Sequence, residues 1–174
     1  MNLILIGLIF VLFNFQVELP NVTLGLLPDF VGYGLLSAGV GGFAGKSRTY
    51  ARLKPLLTVM AGYTCVLYVL SLLRLSLPFG ALFLLLNLAL LPCFLYELIK
   101  GLGEVRASLG AAKESPALRN AWVFHLVSVL LTAAALFVEA LLVPAFLVSV
   151  SAGLVLFYEF YRTGAEGGTC EKKG

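Results

Sequence analysis

LLPDFVGYGLLSAGVGGFAG, residues 26–45, is apolar enough to lie in hydrocarbon, yet it opens with Pro28 and Asp29 and then carries six glycines. On a helix, residues four apart share a face. Gly34, Ala38 and Gly42 therefore form one small-residue row, and Ser37, Gly41 and Gly45 form a neighbouring one. Lipid tails are as apolar as leucine, so helices in a bilayer associate through close van der Waals contact, which such rows permit. This pattern predicts a helix at the centre of a membrane bundle. Pro28 pre-sets its first turn, and Asp29 puts a carboxylate at the positive end of the helix dipole, worth about 0.3–1 kcal/mol at an exposed site.

The rest of the chain agrees on the solvent. Its 174 residues have the length of one domain; 60% are hydrophobic and 12% charged, with a mean hydropathy of +1.01. Soluble domains carry roughly 45–50% apolar and about 25% charged residues, so this chain has too few polar groups to cover a water-facing surface. The composition predicts an integral membrane protein with the lipid bilayer as its partner and no nucleic acid. MNLILIGLIFVLF at the start lacks the basic n-region of a signal peptide, and FNFQVELP offers no cleavage site, so it reads as a spanning helix. Cys65, Cys93 and Cys170 have no paired spacing, which points to neither a metal nor a disulfide, and no cofactor is expected.

A bilayer core of about 30 Å needs roughly 20 apolar residues per helix. Runs of that kind, broken at prolines and charge clusters, fall near residues 3–19, 28–45, 55–75, 78–100, 118–142 and 144–162. Lys46, Arg48, Arg52 and Lys54 separate the second and third runs, and Lys100, Arg106, Lys113 and Arg119 the fourth and fifth; the tail adds Arg162, Lys172 and Lys173. The other connections hold Arg74 alone. Because cytoplasmic loops collect Lys and Arg, this alternation predicts an all-α protein of six transmembrane helices, arranged as three tight hairpins with both termini cytoplasmic. Residues 1–162 read as one transmembrane domain and 163–174 as a disordered polar tail. GLGEVRASLGAAKESPALR extends the fourth helix along the surface, with Leu102, Val105, Leu109 and Ala112 towards headgroups, before Ser115-Pro116 opens the fifth. Tyr96-Glu97-Leu98-Ile99-Lys100 is echoed by Tyr158-Glu159-Phe160-Tyr161-Arg162, which fits either an internal repeat or coincidence.

The decamer LPDFVGYGLL, preceded by a short apolar helix and a tight loop, resembles a group of small, uncharacterised bacterial integral membrane proteins that share an LPDF-[IV]-G-Y-x-L core. The resemblance covers about ten residues, overall length and hydropathy. It implies a multi-pass protein of the bacterial cytoplasmic (inner) membrane and no catalytic residues.

Two readings attach to each polar group. Glu18, Asp29, Arg74 and Glu139 fall near outer helix ends, where they form either an internal cluster around Arg74 or four separate contacts with headgroups. Glu97 and Glu159 are followed at i+3 by Lys100 and Arg162, so local ion pairs compete with a proton relay. His125, with Ser128 and Thr132 on its face, is either a buried neutral imidazole or a proton carrier. Asn14, Gln16 and Asn87 suit interhelical hydrogen bonds, and Trp122 and the tyrosines an interfacial belt. There is no HExxH, phosphate loop or GxSxG, and no nucleophile with an orienting partner, so an enzyme is not the expectation. Two functions remain. One is a small transporter or channel for a cation or small solute, built as a homo-oligomer. The other is a non-catalytic subunit that docks a membrane partner protein through its small-residue faces.

Overall fold

The computed structural model describes the chain except residues 14–15, 20–21, 26–27, 74–79, 113–114, 136 and 172–174, and it leaves the side chains of 16–19, 22–25, 80–85, 87, 139 and 166–171 undescribed. The element order is α1 (Asn2–Leu12), β1 (Gln16–Leu19), β2 (Val22–Gly25), α2 (Asp29–Gly41), α3 (Arg48–Leu72), α4 (Gly80–Ser108), α5 (Pro116–Ala135), a single 3-10 turn (Glu139–Leu141) and α6 (Leu142–Glu171). Among the described residues, three helical stretches, Arg48–Leu72, Pro116–Ala135 and Leu142–Ala165, are long and apolar enough to cross a membrane. Met1–Gly80 and Ala81–Gly174 form two compact units.

In the first unit α2 packs against both α1 and α3. A methyl placed on Gly7 would lie 2.8 Å from Leu36 Cγ, one on Gly32 2.7 Å from Val11 Cγ2, and one on Gly39 2.6 Å from Ile4 Cγ1. The partners descend on α1 as they rise on α2, so the two helices run antiparallel with their backbones nearly touching. The small residues that make this contact are Gly7, Gly32 and Gly39. The row Gly34, Ala38, Gly42 expected to do so is open: Ala38 and Gly42 are exposed, and a methyl on Gly34 would meet nothing within 4 Å. The reason lies in the bulky residues interleaved with the glycines. Leu36 and Val40 are buried with Gly32 and Gly39, so the helix turns that face inward. The neighbouring row serves α3 in part. Ser37 is buried and its hydroxyl lies 2.7 Å from that of Thr58, the Lys54 side chain covers Gly41, and Gly45 is open.

The first segment departs from expectation. The helix expected over 3–19 stops at Leu12, and Gln16–Leu19 pairs antiparallel with Val22–Gly25, Leu19 opposite Val22. Gln16-Val17-Glu18-Leu19 alternates polar and apolar residues and Pro20-Asn21 is turn chemistry, a period of two that a search for continuous apolar runs passes over. α1 and α2, at 11 and 13 residues, are too short to cross a core of about 30 Å as helices. α3 begins earlier than expected, at Arg48, because Ser47 caps it by accepting the Tyr50 amide at 3.1 Å. Pro55 lies inside it, tolerated where Tyr50, Leu53 and Leu57 bury one face.

In the second unit α5 and α6 pack together through the turn at Glu139–Leu141. Ala145, Ala152, Leu156, Phe160 and Thr163 form the buried stripe of α6, while Phe146, Leu147, Leu154 and Val155 on other faces are apolar and exposed. A helix apolar all round belongs in lipid. α6 runs on to Glu171, through part of the tail expected to be disordered; its proline, Pro144, sits in the first turn, and each added residue gains a bond once the helix exists.

Candidate anion pocket of the second unit

α4 contains Pro92, which cannot donate to the carbonyl one turn back. At this point Trp122 of α5 donates its indole N–H to the Pro92 carbonyl at 3.0 Å, and its ring lies 5.2 Å from that of Tyr96. Trp122 thus ties two helices of the unit together, where an interfacial belt was expected. Tyr33 and Tyr50 are likewise buried, while Tyr96, Tyr158 and Tyr161 are exposed.

Beyond Tyr96, α4 carries Lys100, Gly103 and Arg106 at spacings of three and four, which puts them on one face. The helix then ends in a paired cap: Gly110, at φ +78°, donates to the Ala107 carbonyl at 3.1 Å, and Ala111 donates to that of Arg106 at 3.0 Å. This left-handed position favours glycine, and the double bond is the Schellman arrangement that reverses the chain. Ser115 caps α5, its Oγ accepting the Leu118 amide at 3.4 Å, and Pro116 takes the first helical position. Only a few residues separate the two helices, so Arg119 on α5 comes to the same place as Arg106 on α4.

The outcome is a pocket of about 190 Å³ lined by Tyr96, Lys100, Arg106, Ser115, Arg119 and Thr163, with Ile99, Leu102 and Leu118 supplying its apolar wall. Leu102 and Val105, expected to face headgroups, are instead buried. Among the described lining residues there are three cations and no carboxylate. Arg106 is only 8% exposed. Lys100 Nζ lies 3.9 Å from Glu97 Oε2, a pair about half exposed on both sides that offsets little of the Lys100 charge. Thr163 of α6 donates from Oγ1 to Ser115 Oγ at 3.5 Å, at the mouth of α5. At this N-terminus Pro116 has no N–H, the Leu118 amide goes to Ser115 Oγ and the Arg119 amide to the Ser115 carbonyl, so it is the helix dipole that favours an anion.

The residues singled out in the sequence fall as follows. Arg74 lies outside the described residues, as do the side chains of Glu18, Glu139 and Asn87, while their backbones lie in β1, the 3-10 turn and α4. Asp29 is half-buried at the first position of α2. The cluster expected around Arg74 thus lies outside the described residues. Glu159 pairs with Arg162 at 3.1 Å, as Glu97 does with Lys100. His125 is 4% exposed, and neither ring nitrogen has a hydrogen-bond partner among the described residues. The hydroxyl of Ser128 donates to the His125 backbone carbonyl at 2.7 Å and that of Thr132 to the Ser128 carbonyl at 2.9 Å, so neither serves the imidazole. Among the described residues no group of three His, Cys, Asp or Glu could hold a metal.

The pocket residues had been counted in the sequence only as orientation signals. What marks them out is periodicity across the loop: Tyr96, Lys100, Gly103 and Arg106 continue a helical face past the apolar run. Comparison with protein-family models, with curated proteins and with solved structures finds no match to the chain.

Proposed function

We propose that the chain is a multi-pass protein of the bacterial cytoplasmic membrane, with both termini cytoplasmic, that binds a small anionic solute between α4, α5 and α6 and passes it across the bilayer. One observation carries this reading. Three cations and two hydroxyls line a single pocket, and a guanidinium as buried as Arg106 exceeds what an orientation signal requires. The sign of these charges favours an anion over the cation suggested by the acidic residues. Lys100 and Arg119 lie in the helices on either side of a connection that the charge alternation assigns to the cytoplasm, so the pocket would load or release on that side.

Proteoliposomes test this. Chloride, acetate or phosphate should exchange across the bilayer, and Lys100→Gln with Arg119→Gln should abolish the flux. Flux of potassium alone, or no anion binding in detergent, would sink it.

The open row on α2 supports a second reading, a subunit that docks another membrane helix. Ala38 and Gly42 are exposed, and Gly34 has free space beside it. Ala38→Leu should then break a native complex without changing anion binding.

A further inference from the structure

We infer that α3 holds one anionic phospholipid of the cytoplasmic leaflet, its phosphodiester between Arg48 and Arg52 and an acyl chain along the helix. The inference rests on α3 crossing the bilayer and is independent of the anion pocket. Leu53, Leu57 and Met60 turn one face of α3 inward. On the opposite face Arg48, Arg52, Pro55, Val59, Gly62 and Val66 follow at spacings of three and four, and all six are exposed. Val59 is 68% exposed and Val66 58%, and a methyl on Gly62 would meet nothing within 4 Å, so the strip is dented between two valines. From Pro55 to Val66 is about 16 Å, roughly one leaflet of a core of about 30 Å. Two guanidiniums thus stand at the headgroup end of an apolar strip one leaflet long. Arg162 pairs with Glu159 and Lys100 lies near Glu97, whereas the guanidiniums of Arg48 and Arg52 have no partner among the described residues. Like charges one turn apart destabilise a helix, and cations in its first turn oppose the dipole. No acidic residue in that turn relieves either cost. An anion lying between the two guanidiniums relieves both. Residues 30–96 contain no Asp or Glu, so α3 and the turn before it offer no carboxylate to the ammonium of a zwitterionic headgroup.

The full chain, purified in maltoside detergent, is titrated with dioleoyl phosphatidylglycerol or dioleoyl phosphatidylcholine, and bound lipid is counted by native mass spectrometry. One phosphatidylglycerol should bind at least tenfold more tightly than phosphatidylcholine. Arg48→Gln combined with Arg52→Gln should weaken it at least tenfold, the loss expected for a charged hydrogen bond. Gly62→Leu fills the dent on an exposed face, so it should weaken the lipid while the thermal melt holds or rises. Lys54→Gln removes the same charge from the same helix but off this face, because the Lys54 side chain covers Gly41, and should change affinity less than twofold. Equal binding of the two lipids overturns the inference. A loss in Lys54→Gln as large as in the arginine variant also overturns it, since the attraction would then be diffuse. Unchanged binding by Gly62→Leu, or displacement by glycerophosphoglycerol at matched concentration, removes the acyl chain from the strip and sinks the proposal. A dimer that retains no lipid does the same, because a second copy would then cover this face.

Discussion

The indole N–H of Trp122 reaches the carbonyl of Pro92 at 3.0 Å, joining α5 to the one residue of described α4 that cannot itself donate to a helical bond. Interhelical bonds of this kind average about 0.6 kcal/mol in membranes and reach about 1.7. Trp122→Phe keeps an aromatic ring opposite Tyr96 and should lose about that amount in a reversible unfolding titration. Trp122→Ala removes the ring pair as well and should cost more. Equal stability of the Phe variant and the parent would show that the bond contributes nothing.

Glycines at different positions of α2 should behave oppositely. Gly39→Ala must move Ile4, whose Cγ1 and N would lie 2.6 and 2.9 Å from the new carbon, and should destabilise by about 1–3 kcal/mol. Gly34→Ala meets nothing and gains helix propensity, so it should be neutral or stabilising by up to about 1 kcal/mol. Thermal melts of the two variants by circular dichroism decide it. A destabilised Gly34→Ala would mean that the outer row is packed after all.

Ser37 and Thr58 sit 2.7 Å apart across the α2–α3 contact, and each hydroxyl can also reach the Lys54 carbonyl. Ser37→Ala and Thr58→Val should each destabilise modestly, and the double variant by less than their sum, with a coupling of at least about 0.5 kcal/mol. Strict additivity would remove this pair from the account of how α3 docks.

Orientation is checked by reporter fusions after Ser47, Val138 and Glu171, which should report inside, outside and inside. A periplasmic signal from the last would reverse the assignment of the pocket to the cytoplasmic face.

The class of solvent could be read directly from composition, because a chain with 12% charged residues has nowhere to hide apolar surface except lipid. Proline punctuation gave the starts of α2 and α5, where Pro28 is the extended residue just before the helix and Pro116 the first residue within it. What escaped was whatever depends on partners in space. Both glycine rows of α2 look equivalent in the sequence, and only the companions Leu36 and Val40 decide which of the small residues meet α1. Ser47 is a plain capping residue, but a search led by hydropathy began α3 only after Lys54. Arg106 and Arg119 lie thirteen residues apart, and nothing in the string announces that Gly110 reverses the chain between them.

At about 1.5 Å per residue the 25 residues of α3 reach roughly 37 Å, whereas α1 and α2 reach about 16 and 20 Å. The strands β1 and β2 are each about 13 Å long, four residues at roughly 3.3 Å. A two-stranded ribbon has outward-facing amides and carbonyls that hydrocarbon cannot satisfy. It therefore calls for water or headgroups at a depth where α3 is still apolar. Lipid on the α1 side of this unit meets a shorter greasy wall than lipid on the α3 side, and the leaflet there must thin to match it. The expected outcome is readier reconstitution into short-chain than into long-chain lipid.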